Sequence, residues 1–221
     1  MTPGRLSADA AALGLELETD QCTALLAHLD LVQRWGRVYN LTALRDPAQM
    51  YGHHLLDCLV TVPALAVRVE PSARVLDVGS GAGFPGVVLA IARPDWQVCC
   101  IDAVAKKTSF IRQVAAELRL PNLHALHQRV ETLASADFDL ITSRAFASLA
   151  DFTRLSRGAR APRGQWAAMK AKLTDAERAE LPADVQVFHV EQLHVPGLAA
   201  DRCLVWMRPD TDQPLTQPAS S

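Results

Sequence analysis

The sequence predicts an α/β protein in which a seven-stranded, mostly parallel sheet follows a helical N-terminal segment. From Arg74 onward, short β-type runs alternate with helical segments of about 10–15 residues, which is typical of parallel sheets with helices on both faces. The last two predicted strands have no helix between them, which indicates that the final strand is antiparallel. The first 70 residues instead have the periodicity of amphipathic helices.

Two helices are predicted in this N-terminal segment. Thr19 is a suitable N-cap for a helix that ends at 39–42, and Pro47 can occupy the first turn of a second helix. Pro63 should limit that second helix at about Val62. The apolar positions of the first helix recur every three or four residues, as expected for one buried face: Cys22, Leu25, Leu26, Leu29, Val32 and Trp35.

The elements of the α/β core follow in order. The predicted strands cover residues 74–78, 97–101, 123–128, 138–142, 164–170, 184–195 and 202–208. Helices are predicted from Pro85, over 104–118 and over 147–157, and Thr174 with Glu177 forms a capping box for a short helix. We therefore expect three parts: a helical extension over 1–70 that packs on the core, the core over 71–208, and a disordered polar tail over 209–221.

The composition excludes several classes of protein. Hydrophobic residues make up 49% and charged residues 21%, which is enough apolar mass for a full core. The longest uncharged apolar stretch, 59–67, is far shorter than the ~20 residues that span a bilayer, and the N-terminus has no secretory signal, so we expect a cytoplasmic protein. The five cysteines are an odd number without Cys-x-x-Cys spacing, which argues against disulfides and zinc.

The net charge of −2 disfavours general nucleic-acid binding, because neutralising phosphates requires clustered Lys and Arg. One segment differs: between Phe152 and Thr174 there are six basic residues and no acid. This basic segment could be a local RNA-binding surface or a solvated helix face. Its basic residues are Arg154, Arg157, Arg160, Arg163, Lys170 and Lys172.

The strongest functional motif is the glycine-rich turn after the first strand, from Asp77 to Gly86. Gly79, Gly81 and Gly83 let the backbone approach a ligand, and a helix N-terminus follows. The glycine spacing also matches the dinucleotide fingerprint, so spacing alone does not separate NAD from other adenosine cofactors. Asp77 does separate them, because a carboxylate in the crevice would repel a pyrophosphate but suit a cationic sulfonium. S-adenosylmethionine is therefore the expected cofactor.

Residues after the second and third strands extend the same crevice. Asp102 can accept hydrogen bonds from the ribose hydroxyls of an adenosine cofactor, or it can cap the helix that begins near Val104, and the two roles are compatible. Arg129, Val130 and Glu131 follow the third strand and should face the adenine, although Glu131 could instead be a surface acid.

The segment after the fourth strand, Ser143 to Ser148, should face the methyl acceptor. It has neither the Asn-Pro-Pro-aromatic tetrad that orients exocyclic amino groups nor a Pro-Cys nucleophile. Arg144 suits an anionic or electron-rich acceptor, and a structural salt bridge is the alternative.

Five blocks of the chain resemble, in order, the bacterial 16S rRNA (guanine-N7) methyltransferases, also called the glucose-inhibited division protein B family. They are Asn40–Ala43, His53–Asp57, Asp77–Gly86, Ser143–Ala147 and Met169-Lys170. The resemblance extends from Leu6 to Arg208, and its most specific parts are the Phe-Pro-Gly extension of the glycine-rich turn and the Ser-Arg-Ala-Phe-Ala block. Where the family commonly has Lys-Gly, this chain has Lys170-Ala171.

The resemblance implies a class I methyltransferase fold with a Rossmann-like core and S-adenosylmethionine as donor. The implied acceptor is N7 of one guanine (guanine 527, in the 530 loop) of 16S rRNA in the small ribosomal subunit. Cofactor contacts are implied for Gly79, Phe84, Val130, Glu131 and Arg144. Guanine N7 carries an in-plane lone pair and no proton, so its methylation needs alignment rather than a general base. We therefore expect direct in-line transfer by a monomer, without a metal or a covalent intermediate.

The sequence assigns no catalytic residue but offers three candidates, Arg144, Lys170 and His53. Lys170, at the end of the fifth strand, could contact a phosphate. His53 and Asp57 are four apart on one face of the second helix, where they and His54 could pack, cap or face the substrate. Too few further ligands are at hand for a metal site.

Two alternative functions remain open. The protein could be an S-adenosylmethionine-dependent methyltransferase for a small molecule or a protein, against which the basic segment and the family blocks argue. It could also be a dinucleotide-binding oxidoreductase, against which Asp77 argues.

Overall fold

A computed structural model describes residues 1–39, 41, 44, 46–133, 137–144, 146–198 and 201–210. The strands are β1 (Arg74–Val78), β2 (Gln97–Asp102), β3 (Leu123–His127), β4 (Phe138–Ser143), β5 (Arg160–Lys170), β6 (Val185–Leu193) and β7 (Arg202–Pro209). They form a seven-stranded sheet in the order β3-β2-β1-β4-β5-β7-β6. Neighbours pair in parallel except at β7, which is antiparallel to both β5 and β6. The predicted mostly parallel sheet with an antiparallel last strand is confirmed.

Helices precede the sheet and connect its strands. They are α1 (Pro3–Ala12), α2 (Thr19–Tyr39), α3 (Pro47–Met50), a π-helix (Tyr51–Leu56), α4 (Asp57–Leu59), α5 (Thr61–Ala66), α6 (Gly86–Ala92), α7 (Ala105–Glu117), α8 (Leu149–Ser156) and α9 (Asp175–Ala179). Two 3₁₀ turns cover Val130–Thr132 and Arg157–Ala159. The predicted capping box is present: the Thr174 side chain accepts from the Glu177 N–H, and Glu177 accepts from the Thr174 N–H.

The order of the strands reverses next to β1. The chain moves outward from β1 through β2 to β3 and then returns to β4 on the other side of β1. The connections that leave β1 and β4 therefore diverge, and a crevice opens beyond the carboxyl ends of these strands. Most of the predicted site residues lie at or just after the ends of strands at this edge, whereas His53 lies in the π-helix of the N-terminal segment.

Both faces of the sheet are covered. Successive residues of a strand point to opposite faces, and in β5 Trp166 and Ala168 pack on one face while Ala167 and Met169 pack on the other. The first face packs against α8 through the buried ring of Phe152. The second face shares one apolar cluster with α6, α7 and the N-terminal helices.

The N-terminal helix α2 buries the face that its periodicity predicted. Leu25, Leu29 and Val32 are buried, and the ring of Trp35 packs 5.5 Å from that of Phe110 on α7. Thr19 is not the N-cap that the sequence suggested. Thr19 is the first residue of α2. The first hydrogen bond of the helix runs from the Cys22 N–H to the carbonyl of Glu18, the residue before Thr19.

The second predicted helix is irregular and longer than expected. It consists of α3, the π-helix, α4 and α5 in succession and ends at Ala66. Pro63 does not limit it, because this proline lies in the first turn of α5, where a missing N–H removes no intrahelical hydrogen bond. The π-helix is the notable feature, since such segments often occur at functional sites.

Strand β5 begins at Arg160 rather than at Gly164 as predicted. Its pairing with β4 shifts register near this end, which marks a bulge. The Arg160 guanidinium satisfies the irregular backbone by donating to the carbonyls of Ala161 at 2.8 Å and Pro162 at 2.9 Å. A proline in this stretch hid the strand from the sequence pattern.

The remaining predictions concern the cysteines, the membrane and the tail. All five cysteines are buried and free. No helix in the described ranges is long and apolar enough to cross a membrane.

The predicted tail is shorter than expected at its start, because strand β7 extends through Pro209. Residues 211–221 of the predicted tail lie outside the described residues, as do Asn40, Thr42 and Ala43 of the first family block.

Candidate active site

The glycine-rich turn joins β1 to α6 and is tied to the end of β2. The Gly79 N–H donates to the Ile101 carbonyl at 2.8 Å, and the Gly81 N–H donates to the Asp102 carboxylate at 3.1 Å. Gly79 and Gly81 have φ angles of 71° and 58°, a left-handed conformation that favours glycine. A Cβ on Gly79 would meet nothing within 4 Å, so the backbone here is open to a ligand.

Gly83 and Gly86 serve packing instead. A Cβ on Gly83 would collide with the Val87 side chain, and one on Gly86 would collide with the Cys100 sulfur of β2. The Gly86 Cβ would also lie 2.8 Å from a carboxylate oxygen of Asp77. These two glycines let α6 approach the sheet closely, and a direct ligand contact from Gly83 stays a prediction.

We expect Gly86→Ala to lower the free energy of unfolding by about 1–3 kcal/mol, because the added methyl group must displace packed core atoms. Gly36→Ala is the matched control: a Cβ there meets nothing within 4 Å, and alanine is the better helix former within α2. Urea denaturation of both variants measures the difference. A Gly86→Ala variant as stable as the wild type would contradict the packing role.

Asp77 lies beneath the glycine-rich turn rather than in the open crevice. Its carboxylate is fully buried, and Oδ2 accepts the Gly86 N–H at 2.9 Å. The Ser80 hydroxyl donates to the Asp77 backbone carbonyl at 2.8 Å. Burial raises the pKa of the Asp77 carboxyl to about 6. Asp77 therefore fastens the turn to α6, and its direct contact with a cationic ligand stays a prediction.

The raised pKa of Asp77 predicts a pH-dependent stability difference. In the unfolded chain the carboxyl loses its proton near pH 3.8, whereas in the folded protein it keeps the proton up to about pH 6. Between these values the folded state binds more protons, so this group's contribution to the free energy of unfolding falls as pH rises. Asn cannot ionise, so the Asp77→Asn variant lacks this pH dependence. We expect its free energy of unfolding, relative to that of the wild type, to increase by on the order of 2–3 kcal/mol from pH 4 to pH 7. Urea denaturation of both proteins across this range checks it, and a constant difference would contradict it.

The first of two adjoining cavities, cleft 1, lies beyond the carboxyl ends of β1, β2 and β3. It has a volume of about 450 Å³ and brings together four predicted cofactor residues, Gly79, Asp102, Val130 and Glu131. Val130 is buried in its 3₁₀ turn, and Glu131 pairs with Arg129 at 3.5 Å. Cleft 1 is therefore at the position that the strand reversal predicts for a ligand.

Asp102 supports the wall of cleft 1. Its Oδ2 accepts the Gly81 N–H at 3.1 Å, its Oδ1 accepts the Val104 N–H at 2.9 Å, and Lys107 Nζ lies 3.6 Å from Oδ2. The hydrogen bond to Val104 supports the entry into α7, but Asp102 is not the helix cap that the sequence offered as an alternative, because Val104 occupies the N-cap position. A carboxylate has about four acceptor sites, so capacity remains for ligand hydroxyls.

The second cavity, cleft 2, lies beside cleft 1 and has a volume of about 530 Å³. All three catalytic candidates, Arg144, Lys170 and His53, line it. Phe146 lines both clefts, and its ring packs 5.5 Å from that of Phe152. The two cavities therefore meet at one aromatic side chain.

Arg144 is held by the π-helix. Its Nη1 lies 3.3 Å from the His53 carbonyl oxygen and 3.1 Å from His54 Nδ1. Its Cζ lies 5.2 Å from the centre of the Phe84 ring, within cation–π distance. In the part of the chain that the structure describes, no carboxylate forms a salt bridge with Arg144, which removes the structural ion pair as an explanation for this residue.

Phe84 lies between two neutral histidines. Its ring centre is 4.9 Å from that of His54 and 4.8 Å from that of His28. Burial lowers the pKa of both histidines to about 4, so both rings are neutral at pH 7. His28 Nε2 donates to the Ala82 carbonyl at 2.9 Å. Phe84 thus anchors the glycine-rich turn to the N-terminal helices, and a direct cofactor contact from it stays a prediction.

Four other charged side chains that line cleft 2 form two ion pairs within the chain. Lys170 Nζ forms an ion pair with Glu177, so its charge is already balanced where the sequence suggested a phosphate contact. Asp57 Oδ1 accepts a hydrogen bond from Arg202 Nε at 2.6 Å. This second pair joins the N-terminal helices to β7 and gives Asp57 a structural role.

The basic segment is not the uniform cationic surface that its composition suggested. Its residues form the pairs Arg154–Asp151, Arg157–Asp184 and Lys170–Glu177, and Arg160 donates to backbone carbonyls. Arg163 and Lys172 have no ion-pair partner among the described residues. Lys172 lines cleft 2, and a contact between the basic segment and RNA stays a prediction.

His28, Arg202 and the π-helix contribute to the site but were not predicted from the sequence. His28 falls on the apolar face of α2 with Leu25 and Val32, so a histidine in register with buried residues was an available signal. Arg202 gave no such signal, because its partner Asp57 is 145 residues away in the chain. Within the described residues, no three His, Cys, Asp or Glu side chains come together as a metal site.

Comparison with known proteins shows which family the chain resembles. The GidB family profile, described as rRNA small subunit methyltransferase G, matches residues 21–205. The chain is 59% identical over 213 residues to Ribosomal RNA small subunit methyltransferase G of Leptothrix cholodnii (strain ATCC 51168 / LMG 8142 / SP-6), covering 95% of this chain and 97% of that protein. It is 57% identical over 209 residues to the protein of the same name from Acidovorax sp. (strain JS42), covering 90% of this chain and 92% of that protein.

The fold has solved counterparts at low sequence identity. The crystal structure of a SAM dependent methyltransferase from Aquifex aeolicus superposes with a TM-score of 0.55 at 18% identity, covering 76% of this chain and 96% of that chain. This likeness confirms the class I methyltransferase fold. With the family profile matched from α2 to β7 and relatives more than half identical, the chain belongs to the rRNA small subunit methyltransferase G family.

Proposed function

We propose that this protein uses S-adenosylmethionine to methylate N7 of one guanine, guanine 527 in the 530 loop, in 16S rRNA of the small ribosomal subunit. The names of the relatives support an rRNA substrate, and the resemblance to the guanine-N7 methyltransferases supports the base and the atom. The observation that carries the proposal is the meeting of cleft 1 and cleft 2 at Phe146, because a donor and an acceptor can lie side by side there. An rRNA substrate also implies that the protein acts in the cytoplasm.

Cleft 1 fits S-adenosylmethionine in size and in chemistry. Its volume of about 450 Å³ lies within the range of about 300–1,000 Å³ that is usual for ligand sites. Asp102 has acceptor capacity for ribose hydroxyls, Val130 and Glu131 would border the adenine, and the open backbone at Gly79 would face the ligand. S-adenosylmethionine, when bound, supplies a methyl group on a cationic sulfonium.

Arg144 is the residue that we assign to the carboxylate at the amino-acid end of the donor. A guanidinium can grip a carboxylate through two parallel hydrogen bonds, and Arg144 is fixed above Phe84 at the glycine-rich turn. Asp77, Gly81 and Gly83 would act through the shape of the turn. This assignment gives Arg144 a cofactor role while it remains at the edge of cleft 2.

Cleft 2 would take the guanine. A base has to leave its stack to reach such a cavity, and Phe146 offers an aromatic face on which it could rest, worth about 1–3 kcal/mol for base–aromatic stacking. Guanine N7 has no proton to remove, so His53 and Lys170 are not needed as general bases and would position the RNA. Alignment of the reacting atoms can supply ~7–11 kcal/mol, which suits a direct in-line transfer without a metal or a covalent intermediate.

A dinucleotide-binding oxidoreductase is disfavoured by the sheet. Dinucleotide-binding sheets have the order 3-2-1-4-5-6, whereas here β7 inserts in the antiparallel direction between β5 and β6. A methyltransferase for a small molecule is disfavoured by the open second cavity and by the family relationship.

The proposed function is tested on the rRNA itself. We expect 16S rRNA from a strain that lacks this gene to lose one N7-methylguanine, located in the 530 loop by mass spectrometry of defined fragments. A plasmid copy should restore it, and a copy with Asp102→Ala should restore less. Retention of every N7-methylguanine in the deletion strain would contradict the proposal.

A further inference from the structure

His54 occupies the space between Arg144 and Phe84. The histidine is 8% exposed and lies in the π-helix, with its ring stacked on Phe84 at 4.9 Å and an interplanar angle of 27°. Its Nδ1 lies 3.1 Å from Arg144 Nη1. The same Arg144 nitrogen lies 3.3 Å from the His53 carbonyl oxygen. Two consecutive residues of the π-helix therefore hold one end of the guanidinium.

The chemistry of the two side chains fixes the direction of this hydrogen bond. A guanidinium can only donate, so His54 Nδ1 has to accept, and the ring proton has to be on Nε2. The His53 carbonyl, which accepts from Arg144, also lies 3.2 Å from Nδ1, and it would compete for Nδ1 only in the other tautomer, in which Nδ1 carries the proton. Burial, followed by the charge of Arg144, lowers the pKa of His54 to about 4, so the ring is neutral at pH 7.

The π-helix leaves part of Arg144 available to a ligand. Both N–H groups of Nη1 are directed to His53 and His54, so the Nε and Nη2 donors remain, with the buried Cys58 thiol as a weak neighbouring partner. A side chain as long as arginine has many rotamers, and fixing it in advance reduces the entropy lost on binding.

We infer that His54 is a positioning residue whose Nδ1 orients the Arg144 guanidinium toward the carboxylate at the amino-acid end of S-adenosylmethionine. This inference rests on the proposed cofactor but not on the proposed rRNA substrate. His54 also lines cleft 2, but the role inferred here is exerted through Arg144.

Two substitutions separate the acceptor from the ring. His54→Asn keeps an oxygen acceptor near the position of Nδ1 but removes the ring. His54→Phe keeps an aromatic ring on Phe84 but removes the acceptor. Two ligands separate the carboxylate from the rest of the cofactor: S-adenosylhomocysteine carries the amino-acid end, and 5′-methylthioadenosine lacks it.

The experiment is calorimetric titration of the wild type and both variants with both ligands. We expect His54→Phe to weaken binding of S-adenosylhomocysteine by about 10-fold or more, as for a lost hydrogen bond to a charged group, with 5′-methylthioadenosine changed by less than about twofold. His54→Asn should stay within about threefold of the wild type for both ligands. In an Arg144→Ala background, His54→Phe should have no further effect on S-adenosylhomocysteine.

The outcomes distinguish this inference from the proposed function. Unchanged binding of S-adenosylhomocysteine to His54→Phe, or equal losses for both ligands, would overturn the positioning role while the cofactor assignment stands. A wild type that binds neither ligand would overturn the cofactor and the inference together. The ¹⁵N spectrum of the histidines adds a readout without ligand: His54 Nδ1 should be unprotonated at pH 7 and should shift in Arg144→Ala, and a protonated Nδ1 would overturn the inference.

Discussion

Replacing Arg202 with alanine is expected to lower the free energy of unfolding by about 3–5 kcal/mol. Its partner Asp57 has a side chain only 7% exposed, and Arg202 itself is 22% exposed, so the variant leaves a buried carboxylate without its counter-ion. The pair also joins α4 to β7, two elements that the chain connects only through the whole core. Arg202→Lys should lose less, because it keeps the positive charge beside Asp57. It should still be less stable than the wild type, because a lysine cannot reproduce the Nε hydrogen bond at 2.6 Å.

Arg157→Ala is the matched control for this prediction. Arg157 pairs with Asp184, but these side chains are 44% and 46% exposed, and exposed pairs contribute about 0–1 kcal/mol. Urea denaturation of the three variants at pH 7 gives the comparison. If Arg202→Ala and Arg157→Ala lose similar amounts, the Asp57–Arg202 pair does not stabilise the fold as described.

Replacing Asp102 with alanine is expected to weaken binding of S-adenosylhomocysteine on the order of 100-fold. The carboxylate would accept hydrogen bonds from the ribose hydroxyls, at about 1.5–3 kcal/mol each, and it also holds the Gly81 N–H at 3.1 Å. Calorimetric titration measures the change. Asp102→Asn keeps the shape and part of the acceptor capacity, so its loss should be intermediate.

The control for Asp102 is Asp30→Ala, which removes an exposed carboxylate on α2 and should leave binding unchanged. Unaltered affinity in Asp102→Ala would mean that Asp102 only supports the turn and the start of α7. Equal losses in Asp102→Ala and Asp30→Ala would show a general charge effect instead of a contact.

The order of the elements and the location of the site were accessible from the sequence. The alternation of strand and helix patterns predicted the sheet, and the residues that end β1, β2 and β4 predicted the crevice, because parallel strands present their carboxyl ends at one edge. Asp102 lies at that edge, at the end of β2 and in the lining of cleft 1, as its position in the sequence predicted. These features could be predicted because they depend on patterns among residues that are close together in the sequence.

The internal organisation of the site was not accessible, because it depends on contacts between distant segments. The sandwich of Phe84 between His28 and His54 needs three elements that meet only in the folded chain. The hydrogen bond between the Asp77 carboxylate and the Gly86 N–H likewise depends on how closely α6 packs against β1.

Charge compensation was hidden for the same reason. The basic segment contains no acid in its own sequence, yet Arg157 and Lys170 find Asp184 and Glu177 in later elements. A count of charges within one segment therefore overstated the cationic surface. Among the described residues, only basic side chains without an ion-pair partner, such as Lys172, still fit the interpretation of an RNA-binding surface.

The central claim is methyl transfer to guanine N7 in small-subunit rRNA, and transfer in a purified system tests it most directly. The protein is incubated with S-adenosylmethionine labelled in its methyl group and with small ribosomal subunits, or their naked 16S rRNA, from a strain that lacks the gene. The account predicts label on N7 of one guanine in the 530 loop, and much less label with the Asp102→Ala protein. Label on an exocyclic nitrogen, on another base or on a ribosomal protein, or no label on either substrate, would contradict it.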